Sequence, residues 1–389
     1  MNIQTQSIAE REAQHTSGAT SKRPLTLVRG RSSTVWDDEG RAYLDATSGQ
    51  GVALIGHSHP AVAAAVAEQA ATLITCPEIF SNDRRAALYE ALSALLSSSF
   101  DRFFLCNSGA EANEAALKLA RQLTGRSGIV AIRRGFHGRT LGALALTWNP
   151  KYREPFQSWL PDVTHITPDD FEAAQAAISD QTAAVVFEAV QGEGGVHPLS
   201  TAYLRELRRL CRERGALLIA DEIQTGLGRT GRWFGFEHTG VTPDIVTLGK
   251  GIAGGLPMGV TAWPGELGQF EPGAHGSTFG GNPLACTAAL ATLAVLRDQN
   301  LPERSALLGA YLLDVLRHRQ LSQVREVRGL GLLIGLELRG RVTPVLKELQ
   351  DRGVLALPAG LNVLRLLPPL VLTDDEADQI IEAVSEVLR

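Results

Sequence analysis

The chain has little of what marks several common protein classes. Its four cysteines, Cys76, Cys106, Cys211 and Cys286, stand apart without CxxC or CxxH spacing. That pattern indicates neither a zinc site nor a disulfide framework and points to a reducing compartment. The nine histidines contain no HExxH pattern, so no metal ligand set is expected. No apolar run reaches the roughly 18 to 20 residues of a membrane span. Residues 1–22, a polar mixture, lack the charged-then-apolar layout of a secretory signal, and a cytoplasmic protein is expected. Positive charge is not in excess either: 37 basic against 42 acidic residues leave a formal charge of −5. No global field is available to hold a nucleic-acid backbone or an anionic membrane. Lysine is scarce as well. Lys22, Lys118, Lys151, Lys250 and Lys347 are the whole set, so any lysine chemistry has few candidates.

What is present is ordinary globular composition, 44% hydrophobic and 20% charged. At roughly 150 residues per domain, 389 residues suggest two to three domains. Leu25 to Ser48 alternates apolar and polar residues around Asp37-Asp38-Glu39-Gly40, predicting strands joined by tight turns. From about residue 100 to 265, short near-continuous apolar runs (102–106, 128–132, 183–190, 216–221, 244–250, 259–263) alternate with helical stretches. This predicts an α/β fold with a mostly parallel central sheet and helices on both faces. After about residue 283 the pattern becomes that of a smaller α+β domain, ending in a helix whose Thr373 and Glu376 have capping-box spacing. The expected organisation is a flexible tail (1–22), an N-terminal part of the small domain (23–55), the large α/β domain (56–282) and the C-terminal small domain (283–389).

In an open parallel sheet, ligands sit beyond the carboxyl ends of the strands. After 102–106 come Asn107, Ser108, Gly109 and Ala110 at a helix start, where free N–H groups and the helix dipole suit a phosphate. Ser108 and Glu111 also have capping-box spacing, which needs no ligand. Asp221 ends another strand, where a buried carboxylate needs a cationic partner. Gly226, Gly228 and Gly231 follow it in a helix-poor segment, so they form no dinucleotide fingerprint. Lys250 ends a third, flanked by Gly251-Ile252-Ala253-Gly254-Gly255. Desolvation there lowers an amine's pKa and makes it nucleophilic; the ordinary alternative, a snorkelling surface lysine, suits the other four better. A lysine, an acid and a phosphate turn together suit pyridoxal 5'-phosphate.

The motifs NSGAEANEAALKLAR, GFHGRT, FEAVQGEGG, ADEIQTGLGRTG, TLGKGIAGGLPMG and HGSTFGGNPLA stand in this order across residues 107–285. In them the sequence resembles the class III (ornithine-type) aminotransferases of PLP fold type I, from about residue 25 to the end. The resemblance implies a PLP-dependent aminotransferase. Lys250 would be the Schiff-base lysine and proton carrier, and Asp221 the partner of the pyridine nitrogen. Ser108, Gly109 and Ala110 would bind the phosphate. Phe136 and Ile223 would flank the ring, and Gln224 would bond its phenolic oxygen. Thr278 would reach the phosphate of a neighbouring subunit, which implies a homodimer with the active site at the interface. Arg139, Glu188, Ser277 and Arg365 would bind substrate, with Glu188 pairing with Arg365 when an ω-amine donor binds and swinging away for 2-oxoglutarate. The departure from many relatives is Ala189, where they carry proline. Within the class the chain is similar to enzymes acting on N-acetylornithine. It also resembles those acting on LysW-linked aminoadipate semialdehyde. Ornithine, 4-aminobutyrate, aminomutase chemistry and a catalytically silent protein on the same fold are the further alternatives.

Overall fold

Alternation and tight turns fold the segment after residue 25 into three antiparallel strands, β1 (Leu27–Arg31), β2 (Thr34–Asp37) and β3 (Ala42–Asp45). The Asp37 carboxylate closes the second turn by accepting from the Glu39 and Arg41 N–H groups at 3.1 and 2.8 Å. A computed structural model of the chain describes residues 6–97 and 99–389; residues 1–5 of the expected tail lie outside them. From residue 6 the tail is not irregular throughout. Ser7 and Glu10 close a capping box on a short helix, Ile8–Ala13, none of whose residues is buried.

The apolar runs form the central sheet from β4 (Phe100–Cys106), β5 (Gly128–Ile132), β6 (Thr164–Ile166), β7 (Thr182–Phe187), β10 (Leu217–Asp221), β11 (Ile245–Leu248) and β12 (Gly259–Pro264). A hairpin of two short strands, β8 (Val190–Gln191) and β9 (His197–Pro198), follows β7. The order is β4-β12-β11-β10-β7-β5-β6. Six strands run one way; β12 is antiparallel to both neighbours, so the expected mostly parallel sheet has one reversed member. Successive residues of a strand point to opposite faces, and both faces are covered. Ile129, Ala131, Val186 and Ile219 pack with Ala112, Ala116 and Leu119 of the Gly109–Thr124 helix. Val130, Ile132, Val185 and Leu218 pack in the other core with Leu204 and Leu207 of the Thr201–Arg214 helix.

The C-terminal part builds a second sheet from β13 (Val324–Leu330), β14 (Leu333–Leu338), β16 (Leu357–Ala359) and β17 (Val363–Leu366), in the order β13-β14-β17-β16. Between these, β15 (Val354–Leu355) leaves that sheet and pairs in parallel with β3. The N-terminal and C-terminal segments therefore share one sheet. The Leu301–His318 helix packs so closely on the β13–β14 turn that a Cβ on Gly309 would stand 2.1 Å from the Gly331 carbonyl oxygen. Helix propensity alone favours alanine over glycine by about 1 kcal/mol. The backbone clash outweighs this, so Gly309→Ala is expected to destabilise the fold by about 1–3 kcal/mol. A raised melting temperature in thermal unfolding would show that the clash relaxes.

Candidate active site

The carboxyl ends of β4, β5, β7, β10 and β11 converge on a cavity of about 250 Å³ lined by Gly109, Phe136, Arg139, Glu193, Asp221 and Lys250, among others. After β4, Ser108 caps the sixteen-residue Gly109–Thr124 helix, its hydroxyl accepting from the Glu111 N–H at 3.2 Å. Glu111 reaches past the cap to the Asn107 N–H at 2.6 Å, so the reciprocal half of the capping box falls one residue early. Gly109 and Ala110 lie in the first turn, whose N–H groups have no partner inside a helix, and both line the cavity. The turn is tightly packed from below. A Cβ on Gly109 would stand 2.6 Å from Ile223 Cδ1, and one on Gly249 would stand 3.1 Å from Gly109 Cα. Glycine at both positions lets the turn, the end of β11 and Ile223 meet.

Asp221, 3% exposed, ends β10 and is held by three donors. Asn113 Nδ2 donates to Oδ2 at 2.9 Å, His137 Nδ1 lies 2.6 Å from the same oxygen, and the Ile223 N–H donates to Oδ1 at 3.1 Å. Asn113 is itself aimed by the Thr247 hydroxyl, which donates to its Oδ1 at 2.8 Å. Burial works against a charged His137, but the hydrogen bond and charge of Asp221 outweigh it and raise the imidazole pKa. His137 is thus the residue that meets the strand-end carboxylate. Sequence reasoning gave it no such role and missed Asn113 entirely. The available signal for Asn113 was a polar residue on the otherwise Ala- and Leu-rich buried face of its helix.

Lys250 follows β11 and Gly249, and adopts φ +45°, a left-handed conformation costly for a residue with a side chain. It opens a short 3₁₀ turn, Lys250–Ala253, rather than ending the strand itself. Burial lowers its amine pKa, with Arg365 acting in the same direction and Glu193, Asp221 and Glu188 in the opposite one. The amine is therefore the depressed-pKa nucleophile expected from its apolar surroundings. Phe136 and Ile223 line the same cavity, and so does Gln224.

Two carboxylates follow β7, and the one that meets Arg365 is not the one expected. Glu188 does not meet Arg365: it is buried and accepts from the Phe136 N–H at 2.8 Å and the Gly192 N–H at 3.2 Å. Burial raises its pKa above the usual carboxylate range. Arg365, on β17 and 2% exposed, pairs instead with Glu193 at 2.6 Å, and its Nη1 donates to Gln224 Oε1 at 3.0 Å. The pairing of Glu188 with Arg365 is corrected to Glu193, which lies in the turn of the β8–β9 hairpin. Arg139 is exposed, lies over the Tyr152 ring at 3.6 Å and the Phe136 ring at 5.4 Å, and makes no ion pair among the described residues. Ser277 accepts from Asn107 Nδ2 at 3.1 Å and the Gly280 N–H at 2.9 Å, outside the cavity lining. Thr278 is exposed beside it.

These residues fit pyridoxal 5'-phosphate. A depressed amine, a hydrogen-bonded carboxylate and a first-turn phosphate cradle meet in one cavity, and the cradle exists only because residue 109 lacks a Cβ. Among the described residues no group of acidic, histidine or cysteine side chains could hold a metal ion, and no helix is long and apolar enough to cross a membrane.

The sequence model of a family described as aminotransferase class-III matches residues 16–388. A [LysW]-aminoadipate semialdehyde transaminase from Deinococcus radiodurans is 48% identical over 97% of this chain and 89% of its own length. An acetylornithine aminotransferase from Methanopyrus kandleri is 46% identical over 95% of each chain. Among solved structures, an ornithine aminotransferase from Toxoplasma gondii with PLP at partial occupancy in its active site superposes with a TM-score of 0.93. It is 34% identical, covering 97% of this chain and 92% of that one.

Proposed function

The chain belongs to the class III aminotransferases, a pyridoxal-phosphate-dependent family, and from that premise we propose that it carries the δ-amino group of N-acetylornithine to 2-oxoglutarate. The products are N-acetylglutamate 5-semialdehyde and glutamate. One observation carries the choice of substrate class: Arg139 lines the cavity, Arg365 stands behind the lining residues Glu193 and Gln224, and only Arg365 is masked by an acid. Arg139 is unpaired among the described residues and is suited to the lone carboxylate of an ω-amino donor. Arg365 is neutralised by Glu193 while such a donor binds. A dicarboxylic acceptor needs both cations, and moving Glu193 aside supplies the second.

When bound, pyridoxal phosphate supplies a carbonyl that captures the amine and a ring that takes up the electrons left behind when the neighbouring proton departs. The chain's own residues do the rest. Ser108 and the N–H groups of Gly109 and Ala110 hold the phosphate. Asp221, held in place by His137 and Asn113, holds a proton on the ring nitrogen. Phe136 and Ile223 confine the ring, and Gln224 bonds its oxygen. Lys250, with its depressed amine in the cavity, would take the proton from the substrate carbon as base and give it back as acid. Buried Glu188, protonated at a higher pH than an ordinary carboxylate, tethers the Phe136 backbone and itself lines the cavity.

The homodimer forms part of this reading. Ile79 (83% exposed), Phe80 and Phe279 present large apolar side chains next to Thr278. Arg85 ties the two segments together, donating to the carbonyls of Cys76, Phe80 and Gly281. Such a patch suits a protein interface, which supports the reading that Thr278 reaches a partner's cofactor phosphate.

A second reading, a LysW-linked donor, is favoured by the Deinococcus radiodurans relative and by a further cavity of about 450 Å³ that shares Phe136 and Glu193 with the first. Arg134 and Lys151 line it, leaving room and positive charge beyond the reacting end. Initial rates with 2-oxoglutarate as acceptor decide between them. Acetylornithine is expected to exceed ornithine, 4-aminobutyrate and carrier-linked lysine in kcat/KM by about tenfold or more, a difference of about 1.4 kcal/mol. Faster turnover of the carrier-linked amine would assign the second reading. Product formed without any keto acid would assign the aminomutase alternative.

A further inference from the structure

We propose that Arg328 is a positioning residue: it clamps the turn bearing Glu193 and so sets how firmly Glu193 masks Arg365. This inference rests on the reading that Arg365 receives the acceptor's carboxylate.

The turn is built under constraint. β8 and β9 pair through Val190 with Pro198 and Gln191 with His197, leaving residues 192–196 to reverse the chain. A Cβ on Gly192 would stand 1.9 Å from Gln224 Oε1, and one on Gly194 would stand 2.3 Å from the Arg134 carbonyl. The chain then leaves through Gly195 at φ +117° and Val196 at φ +56°. A β-branched residue in the left-handed region is a genuine outlier, and it persists only where surrounding structure over-determines it.

Two features of the C-terminal sheet supply that determination. Val196 is fully buried over Gly335 on β14, where a Cβ would stand 2.8 Å from Val196 Cβ. Arg328 on β13 donates from Nε to the carbonyls of Gly195 and Val196 at 3.0 and 3.1 Å, and from Nη2 to Gly195 again at 2.8 Å. Its Nη1 is anchored by Glu326 at 2.7 Å and Glu337 at 2.8 Å. His197 Nε2 lies 3.2 Å from Nη2. Burial and then the Arg328 charge lower the pKa of that imidazole to about 4, so at neutral pH it can accept.

Register makes the arrangement specific to Arg365. Arg328 faces Gly335 across β13–β14, and Gly335 faces Arg365 across β14–β17. Residues directly opposite each other share a face of the sheet. The clamp, the notch that seats Val196 and the masked guanidinium therefore form one transverse row, with Glu193 hung above it from a strained turn. Releasing the clamp frees the turn to relax, weakens the hold of Glu193 on Arg365 and opens that guanidinium to an incoming carboxylate.

The test uses the full-length holoenzyme, following each half-reaction by cofactor absorbance. Arg328→Gln is expected to lower KM for 2-oxoglutarate by about threefold to tenfold, the worth of one or two weakened hydrogen bonds. The donor half-reaction stays within about twofold of its original rate. Arg328→Lys, which keeps the charge but not the fork, falls between. Gly335→Ala, which pushes Val196 out of its notch, moves KM in the same direction and decides the matter if Arg328→Gln does not fold. Equal slowing of both half-reactions, or an unchanged KM for 2-oxoglutarate, overturns the proposal. Arg365→Lys is the control. If it leaves that KM unchanged, the role given to Arg365 is wrong, whatever the clamp does.

Discussion

Lys250→Ala is expected to abolish transamination, lowering kcat by about 10⁴-fold or more, the upper range for losing a positioned acid–base group. The loss should be chemical and not conformational. Residue 250 sits at φ +45°, where alanine and lysine are disfavoured alike by their Cβ. Its neighbours Gly251, Ile252 and Ala253 are buried independently of the lysine side chain. Circular dichroism should therefore be unchanged, while the absorbance band of the covalently held cofactor disappears. Added small primary amines should restore part of the proton transfer, because the space left by the side chain opens on the cavity. A variant that kept both the band and the activity would move the chemistry to a different residue.

The second large effect is expected at Asp221. Asp221→Asn preserves shape but removes the charge that keeps a proton on the ring nitrogen. The expected loss in kcat is about 10²–10³-fold, comparable with removing one preorganised electrostatic partner. His137 loses the same partner. Its raised pKa comes from the hydrogen bond and charge of Asp221 working against burial, so without them the imidazole becomes neutral and can accept through Nδ1. With Nδ1 free to accept, the fold tolerates the substitution, at the cost of one poor contact with Asn113 Nδ2. The measurement is kcat for the donor half-reaction alongside the melting temperature. A drop in stability that matched the drop in rate would show that Asp221 holds the fold together instead of the chemistry.

The sheet was legible because strands covered on both faces read as near-continuous apolar runs, and β7 is buried at every position. Lys250 was legible for a related reason, since only small or apolar residues follow it. The direction of β12 was not: an apolar run of six residues looks the same whichever way it runs. The pairing of Glu188 with Arg365 failed for a different reason. Both acids lie in one short Gly-rich stretch, and the one that reaches Arg365 is decided by a chain reversal through a left-handed valine, which no sequence pattern announces. Asn113 and His137 support Asp221 from another helix and another loop, so their convergence exists only once β4, β5 and β10 belong to one sheet.

The pairing of β15 with β3 has a bearing on how this chain is made. Arg41 hydrogen-bonds the Asp351 carbonyl across a separation of 310 residues, and the Leu44 N–H donates to the Gly353 carbonyl. The strands that leave the ribosome first thus wait for nearly the last ones before their open edge is covered. Contacts so distant along the chain slow folding, and an uncovered edge recruits other strands meanwhile. Nascent chains stalled before residue 354 are accordingly the forms of this protein most in need of a chaperone.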